Sequence, residues 1–388
     1  MPKSIKKPRK IYMDYASSSL SESANSGAIH ELGLLEKKKL ENARALVAGV
    51  LNARSDEIIF TSGATESNNL AILGLIQSFK QKHKLPHIVT SNIEHASVLE
   101  VYKYLEKTKQ TEVTYVEVGS SGVLDPQKIK KSLKKNTILV SVMYVNNEIG
   151  TIQPIHTIAK GIRHYNKINQ KRIYFHTDAT QGINYLPINT RKLGVDLMSL
   201  NAAKIYGPKG VGVLYIKKNT PISKIMFGGD QERGLRPGTE NVVGAVALAN
   251  ALKVVEKIKE KEVKRLVILR NYFLNKLQRS NILTNFRMII NGDLKERLPN
   301  NVNITIPKIP SDLLVIELSK KGIMISAKSA CKSGDGKASH VIMAINPKAK
   351  EEDGSLRFSL GRQTTKKDID QTVKALFLIL TKLKKWYN

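Results

Sequence analysis

One cysteine, Cys331, stands in a chain of 388 residues. A lone thiol excludes an intrachain disulfide framework and any cysteine-built zinc or iron–sulfur site within one chain. It also makes a reducing, cytoplasmic setting the expectation. Acidic residues are scarce too: 33 Asp plus Glu face 63 Lys plus Arg, a formal net charge of +30. Long apolar runs are missing. The longest, such as ALFLIL at 375–380, fall far short of the roughly 20 residues that cross a bilayer, so no membrane span is expected. The basic opening MPKSIKKPRK leads into no apolar stretch, which argues against a secretory signal.

With 41% hydrophobic residues the chain is no disordered polycation, and its length suffices for a core in two or three domains. A nucleic-acid surface would gather the positive charge on one element beside aromatic or groove-reading residues. Here it is dispersed over KKK at 37–39, KK at 130–131 and 134–135, the 253–265 stretch and KK at 384–385. These are polar positions of amphipathic helices, so the charge reads as solvated helix faces and direct nucleic-acid binding is not expected.

Short β-branched segments at 57–60, 87–90, 113–118, 137–144, 172–176, 195–200 and 211–216 alternate with helical patterns such as Leu40, Ala43, Leu46, Val47 and Val50. This predicts an α/β domain with a mostly parallel sheet flanked by helices. Residues 242–278 read as one long helix bridging to a second, smaller α+β unit. That unit holds a strand at 302–306 and ends in a helix from about 366 that Thr365 can cap.

In an open parallel sheet the ligand lies beyond the carboxyl ends of the strands. The run TSGATESNN (61–69) follows the first strand and opens a helix, so the backbone near Ala64 and Thr65 can receive a phosphate. Such turns are common, and alone this one decides little. Later strands are followed by His95, by NNEIG (146–150) with Asn147, by FHTDATQ (175–181) with Asp178 and Gln181, and by NAAKIYGPKG (201–210) with Asn201 and Lys204. A lysine for a Schiff base and a carboxylate for a protonated pyridine nitrogen are what pyridoxal phosphate asks of a protein. Read singly, they are equally a capping Asp and a solvated Lys.

Taken together, the runs IIFTSGATESNN, VNNEIGTIQPI, KIYGPKGVG, QERGLRPGTEN and RFSLGR, with NSGAIHELG at 25–33, resemble those of the cysteine desulfurases. These are class V aminotransferase-like pyridoxal-phosphate enzymes of fold type I, and the likeness is to their NifS/IscS-like branch. The resemblance runs from about Tyr12 to the end of the chain. It implies a large cofactor-binding domain at 15–258 and a small domain at 1–14 and 259–388. Lys204 is implied to be the Schiff-base lysine and to move the substrate Cα proton. His95 would stack on the ring and assist proton transfers, Asp178 would hold the pyridine nitrogen, and Gln181 would bond the ring hydroxyl. The phosphate would be bound by Ala64, Thr65 and Asn201, and by Thr239 reaching into a partner subunit, hence a homodimer with shared active sites. Asn147 and Arg357 would hold the carboxylate of L-cysteine. Cys331 would be the nucleophile, flanked by Lys328 and Lys332, which favour its thiolate. Sulfur would pass to an acceptor protein serving iron–sulfur cluster assembly or tRNA thiolation. No metal is implied.

The sequence departs from that pattern where the family usually carries Ser-x-His-Lys, because here Asn201, Ala202, Ala203 and Lys204 stand. Weaker cofactor retention is expected. Lys328 replaces a usual glycine, and ASSSL at 16–20 lacks a usual proline. A selenocysteine lyase would use much the same residues, and Ala203 also admits a scaffold protein that has lost chemistry.

Overall fold

The computed structural model describes Met13 and residues 24–79, 85–280, 282–327, 339–349 and 353–387. Helix α1 (Glu31–Leu51) leads to strand β1 (Ile58–Thr61) and α2 (Ala64–Phe79). Then follow β2 (His87–Ser91), α3 (Ala96–Lys107), β3 (Glu112–Val116), α4 (Pro126–Ser132), β4 (Thr137–Ser141), α5 (Ile155–Asn169), β5 (Tyr174–Asp178), α6 (Thr190–Leu193), β6 (Leu197–Asn201) and β7 (Gly212–Ile216). The second part comprises α7 (Val242–Arg279), α8 (Ile282–Asn285), β8 (Ile289–Ile290), β9 (Asn301–Ile306), α9 (Ser311–Ser319), α10 (His340–Ile345), β10 (Gly354–Ser359) and α11 (Lys366–Tyr387).

Local chemistry sets many of these boundaries. The Asn241 side chain accepts from the Gly244 N–H at 2.8 Å and starts α7, while Asp125 caps α4 with Pro126 in its first turn. Helix α1 ends where Asn52 turns left-handed at φ 53°. As expected, Thr365 opens α11: its backbone N–H bonds the Asp368 carboxylate at 2.8 Å and its Oγ1 accepts from the Asp368 N–H at 3.3 Å.

The seven strands of the large sheet run in the order β1-β7-β6-β5-β4-β2-β3. Pairs β2/β3, β2/β4, β4/β5 and β5/β6 are parallel, whereas β7 is antiparallel to both β6 and β1. Strands β1, β2 and β5 are buried along their whole length, because helices cover both faces of such a sheet. A second sheet, β10-β9-β8, is antiparallel. Strand β10 was not expected; its bounds follow from register against β9 rather than from its own pattern.

Leu266, Phe273, Val302, Ile304, Leu356, Phe358, Leu376 and Leu380 belong to the core of this second unit, separate from the large core that α7 joins through Val242 to Val255. Residues Val341, Ile342 and Ile345 of α10 pack on the large core. Among the described residues no helix is long and apolar enough to cross a membrane.

Two polar clamps hold this frame. At the sheet edge, the Arg44 guanidinium donates to both carboxylate oxygens of Glu232 (2.8 and 2.6 Å) and to the Ile58 carbonyl (2.9 Å), and Glu232 also accepts the Phe60 N–H (2.8 Å). Between the two units, Asn301 and Asn303 on β9 donate to the Glu148 carbonyl at 3.0 and 3.1 Å. Gly150, at φ +73°, is required beneath them, since a Cβ there would stand 2.6 Å from Asn301. Substituting Glu232→Ala strips the two terminal nitrogens of the buried Arg44 of their carboxylate, leaving only Glu41, half in water, on Nε, and should cost about 3 kcal/mol of unfolding free energy, read from the urea midpoint at unchanged slope. A loss below about 1 kcal/mol would show that water replaces the pair.

Candidate active site

A cavity of about 500 Å³ opens at the carboxyl ends of the parallel strands. Many of the side chains on its wall arrive there because a strand stops. Asp178 is the last residue of β5 and Asn201 the last of β6, Ala64 and Thr65 begin the helix after β1, and His95 caps the helix after β2. Lys204 lies in the single 3₁₀ turn after β6, and Arg357 comes from β10 of the second unit. The cavity thus gathers Ala64, Thr65, His95, Asn147, Asp178 and Gln181 with Asn201, Lys204 and Arg357, every expected site residue except two. Thr239 is exposed and lines no part of this cavity. Cys331, with Lys328 and Lys332, lies outside the described residues.

The carboxylate of Asp178 is 7% exposed and held by two donors, the Thr180 N–H to Oδ1 and the Asn68 amide to Oδ2, both at 2.9 Å. Behind it His176 is fully buried, and desolvation pushes its pKa below the ordinary value. The His95 Nδ1 faces the Ser97 N–H at 3.1 Å and the Ser97 hydroxyl at 2.8 Å. Arg357 donates to the Asn147 carbonyl at 3.0 Å, which draws the second unit onto the NNEIG loop. The Glu148 carboxylate accepts from the Ser339 hydroxyl at 2.5 Å.

Several wall residues were missed in the sequence. Ser97, Thr180, Asn184, Tyr185 and Tyr206, and Asn68 behind the wall, carry no local signal, although Asn68, Thr180 and Tyr206 sit inside the quoted runs. Tyr206 holds a left-handed φ of 63°. Its hydroxyl accepts the Arg362 N–H at 3.0 Å, and the Arg362 guanidinium lies 4.0 Å over its ring. The turn bearing Lys204 is thereby tied to the turn after β10.

These residues suit pyridoxal phosphate on structural grounds. The first-turn amides of α2 have no intrahelical partner, and the Thr180 hydroxyl and Asn300 Oδ1, on residues of the same wall, are buried without a hydrogen bond among the described residues. An amine, a buried carboxylate, an imidazole and a guanidinium share one space large enough for the cofactor with an amino acid. Asn201 uses its Oδ1 to cap Ala203 N–H at 3.1 Å. Its amide nitrogen lies 3.8 Å from the ideal Cβ position of Gly63, beside the start of α2.

The chain belongs to the aminotransferase class-V family, whose sequence profile matches residues 2–372. Members of this family use pyridoxal phosphate. Within it the chain stands with the cysteine desulfurases. It is 41% identical to a cysteine desulfurase IscS of Dictyoglomus turgidum over 97% of this chain and 96% of that one. It is equally 41% identical to a cysteine desulfurase IscS of Methanosarcina thermophila, over 93% and 86% of the two chains. A solved NifS-like protein superposes with a TM-score of 0.83 at 35% identity, covering 93% of this chain and 92% of that one.

Two measurements test the site. Glu94, next to His95, is fully buried, and desolvation raises its pKa to about 8 against bonds from Ser91 and the Met143 N–H. A carboxyl raised in the folded state holds its proton after the unfolded chain has lost it. Its contribution to stability is therefore complete below the unfolded value and is lost as pH rises through the folded one. Glu94→Gln keeps an acceptor for Met143 and has nothing to ionise. Its stability relative to the wild type should rise between about pH 5 and about pH 8, on the order of 1 kcal/mol per pH unit, and a pH-independent difference would refute the assignment. Separately, Ala203→His should tighten pyridoxal phosphate about ten- to a hundredfold, the worth of one hydrogen bond to a charged group, as read by cofactor fluorescence. An unchanged dissociation constant removes the inferred deficit.

Proposed function

We propose that this chain is a pyridoxal-phosphate-dependent cysteine desulfurase that takes sulfur from L-cysteine, releases L-alanine and carries the sulfur as a persulfide on Cys331. The observation that carries the reading is the convergence of Lys204, Asp178 and Arg357, from three separate elements, on one cavity. When bound, the cofactor supplies an electron sink that acidifies the Cα–H of an attached amino acid and loosens its β-substituent.

This chain's own residues do the rest. Lys204 would hold the cofactor through Nζ and move the Cα proton. Asp178, oriented by Asn68 and Thr180, would keep a proton on the pyridine nitrogen, and Gln181 would bond the ring oxygen. The first turn of α2 at Ala64 and Thr65, with Asn201, would bind the phosphate. Arg357 would grip the substrate carboxylate through its planar fork, with Asn147 beside it. The Cys331 thiolate would accept the sulfur, while the carbon left behind takes up protons to become alanine.

The quaternary arrangement follows from Thr239. It stands exposed on the segment that Glu232 anchors, amid outward-facing apolar residues that a single chain leaves in water: Met226, Phe227 at 84% exposure and Val243. A hydrogen bond from Ser26 to Glu240 at 2.7 Å brings Ile29, 92% exposed, to the same end of the molecule. A homodimer that covers this face and delivers Thr239 to the partner's phosphate accounts for both facts. A sulfur-acceptor protein of iron–sulfur assembly or tRNA thiolation is the proposed recipient, and the cytoplasm, which keeps a reactive thiol reduced, the proposed compartment.

Reconstitution tests the reading. The protein with pyridoxal phosphate should turn yellow and, with reductant and L-cysteine, form alanine and sulfide in equal amounts. Lys204→Ala should lose the colour; Cys331→Ser should keep it and release no sulfide. Full turnover by the Cys331→Ser protein would defeat the nucleophile assignment, and a colourless wild type would defeat the enzyme.

A further inference from the structure

Two polar side chains, Asn68 and Ser97, link His95 to Asp178 beneath the cavity wall, and donors run outward from Asn68 towards both ends. The chain begins at Asn68, which is completely buried. Its Nδ2 lies 2.9 Å from Asp178 Oδ2 and 2.8 Å from Ser97 Oγ, and its Oδ1 has no partner. The amide orientation is settled by chemistry. A carboxylate oxygen accepts only, so the atom facing it is the NH₂ group, and that group's second hydrogen goes to Ser97 Oγ. With a lone pair of Ser97 Oγ so engaged, its hydroxyl hydrogen is free to point to His95 Nδ1, 2.8 Å away.

The Ser97 backbone adds a donor that cannot be reversed. Its N–H, in the first turn of α3, lies 3.1 Å from the same Nδ1. A proton on Nδ1 would face this N–H head-on, so Nδ1 must present its lone pair. The ring proton then sits on Nε2, which makes no hydrogen bond among the described residues.

We infer that the Ser97 backbone N–H, seconded by the Ser97 hydroxyl and Asn68, locks the His95 ring with its single proton on Nε2, so that His95 serves the reaction as a hydrogen-bond donor and not as a proton shuttle. Asn68 and Ser97 are positioning residues that act through His95 and Asp178. The catalytic part of this inference rests on the desulfurase reading and revises the proton-transfer role expected for His95: proton movement falls to Lys204, the other nitrogen of the cavity wall that can bind and release a proton. The tautomer itself rests on geometry alone.

The holoenzyme labelled with ¹⁵N-histidine decides the matter by two-bond ¹⁵N–¹H correlation, with the His95 signals assigned by their loss in His95→Gln. An unprotonated Nδ1 and a protonated Nε2 are expected. Ser97→Ala retains the backbone donor and should show the same tautomer; a protonated Nδ1, or an averaged pair of nitrogens, in the wild type overturns the inference. Kinetics at saturating cofactor give the second readout. If His95 only donates, His95→Gln should stay at least tenfold faster than His95→Leu, which loses about ten- to a hundredfold, the worth of a hydrogen bond to a charged group. Equal losses of about 10²–10⁴ in both variants, the signature of a missing acid or base, would overturn it. A wild type that forms no alanine while keeping the Nε2–H tautomer would instead sink the desulfurase reading and leave the lock standing.

Discussion

The carbonyl of Glu148 is the point at which the two halves of this protein meet. Two amides from β9 donate to it, the Glu148 side chain takes the hydroxyl of Ser339, and the neighbouring Asn147 carbonyl takes Arg357. A loop carbonyl in the interior costs free energy unless it is satisfied, and here the partners all come from beyond residue 300. The large sheet therefore completes its buried polar bonding only when the second unit docks. Docking places Arg357 in the same cavity as Lys204, so one satisfied loop serves both packing and site assembly.

Charge is handled differently at each depth. The dispersed lysines stay in water, as shown by i,i+3 and i,i+4 pairs such as Lys103–Glu100 and Lys264–Glu260, which contribute little to stability. Deeper in, charge survives only with a full set of partners. Arg44 and Glu232 are bidentate and share further backbone bonds, and Asp178 has a donor for each oxygen. Glu94 pairs with no cation among the described residues, and burial drives its carboxyl towards the protonated form. The same residue type thus acts as ion, ligand orienter or neutral hydrogen-bonding group according to what the fold brings next to it.

All seven strands of the large sheet were legible, because each is a short run rich in β-branched residues between turn residues. The helix starts at Thr365 and near Glu66 were legible for a similar reason: caps are local chemistry. The antiparallel direction of β7 and the whole of β10 were not, since strand direction and the pairing of β10 with β9 depend on partners dozens of residues away. In the site, Lys204 and Asp178 announced themselves by type and by position after a strand, and Arg357 only through the family resemblance. Asn68 did not. An asparagine one helical turn into α2 looks like any polar helix residue until β5 and α3 are seen to meet it.

The sequence by itself determined the class of fold, the family and the inventory of reactive groups, because apolar periodicity, capping and long ordered motifs are properties of the chain read in one dimension. Only the tertiary structure decided which groups share a space and in which state they do so. The protonation of Glu94, the direction of the Asn68–Ser97–His95 chain and the meeting of Arg357 with Asn147 are set by desolvation and by donors converging from distant segments. Those energies exist only once the chain has closed on itself.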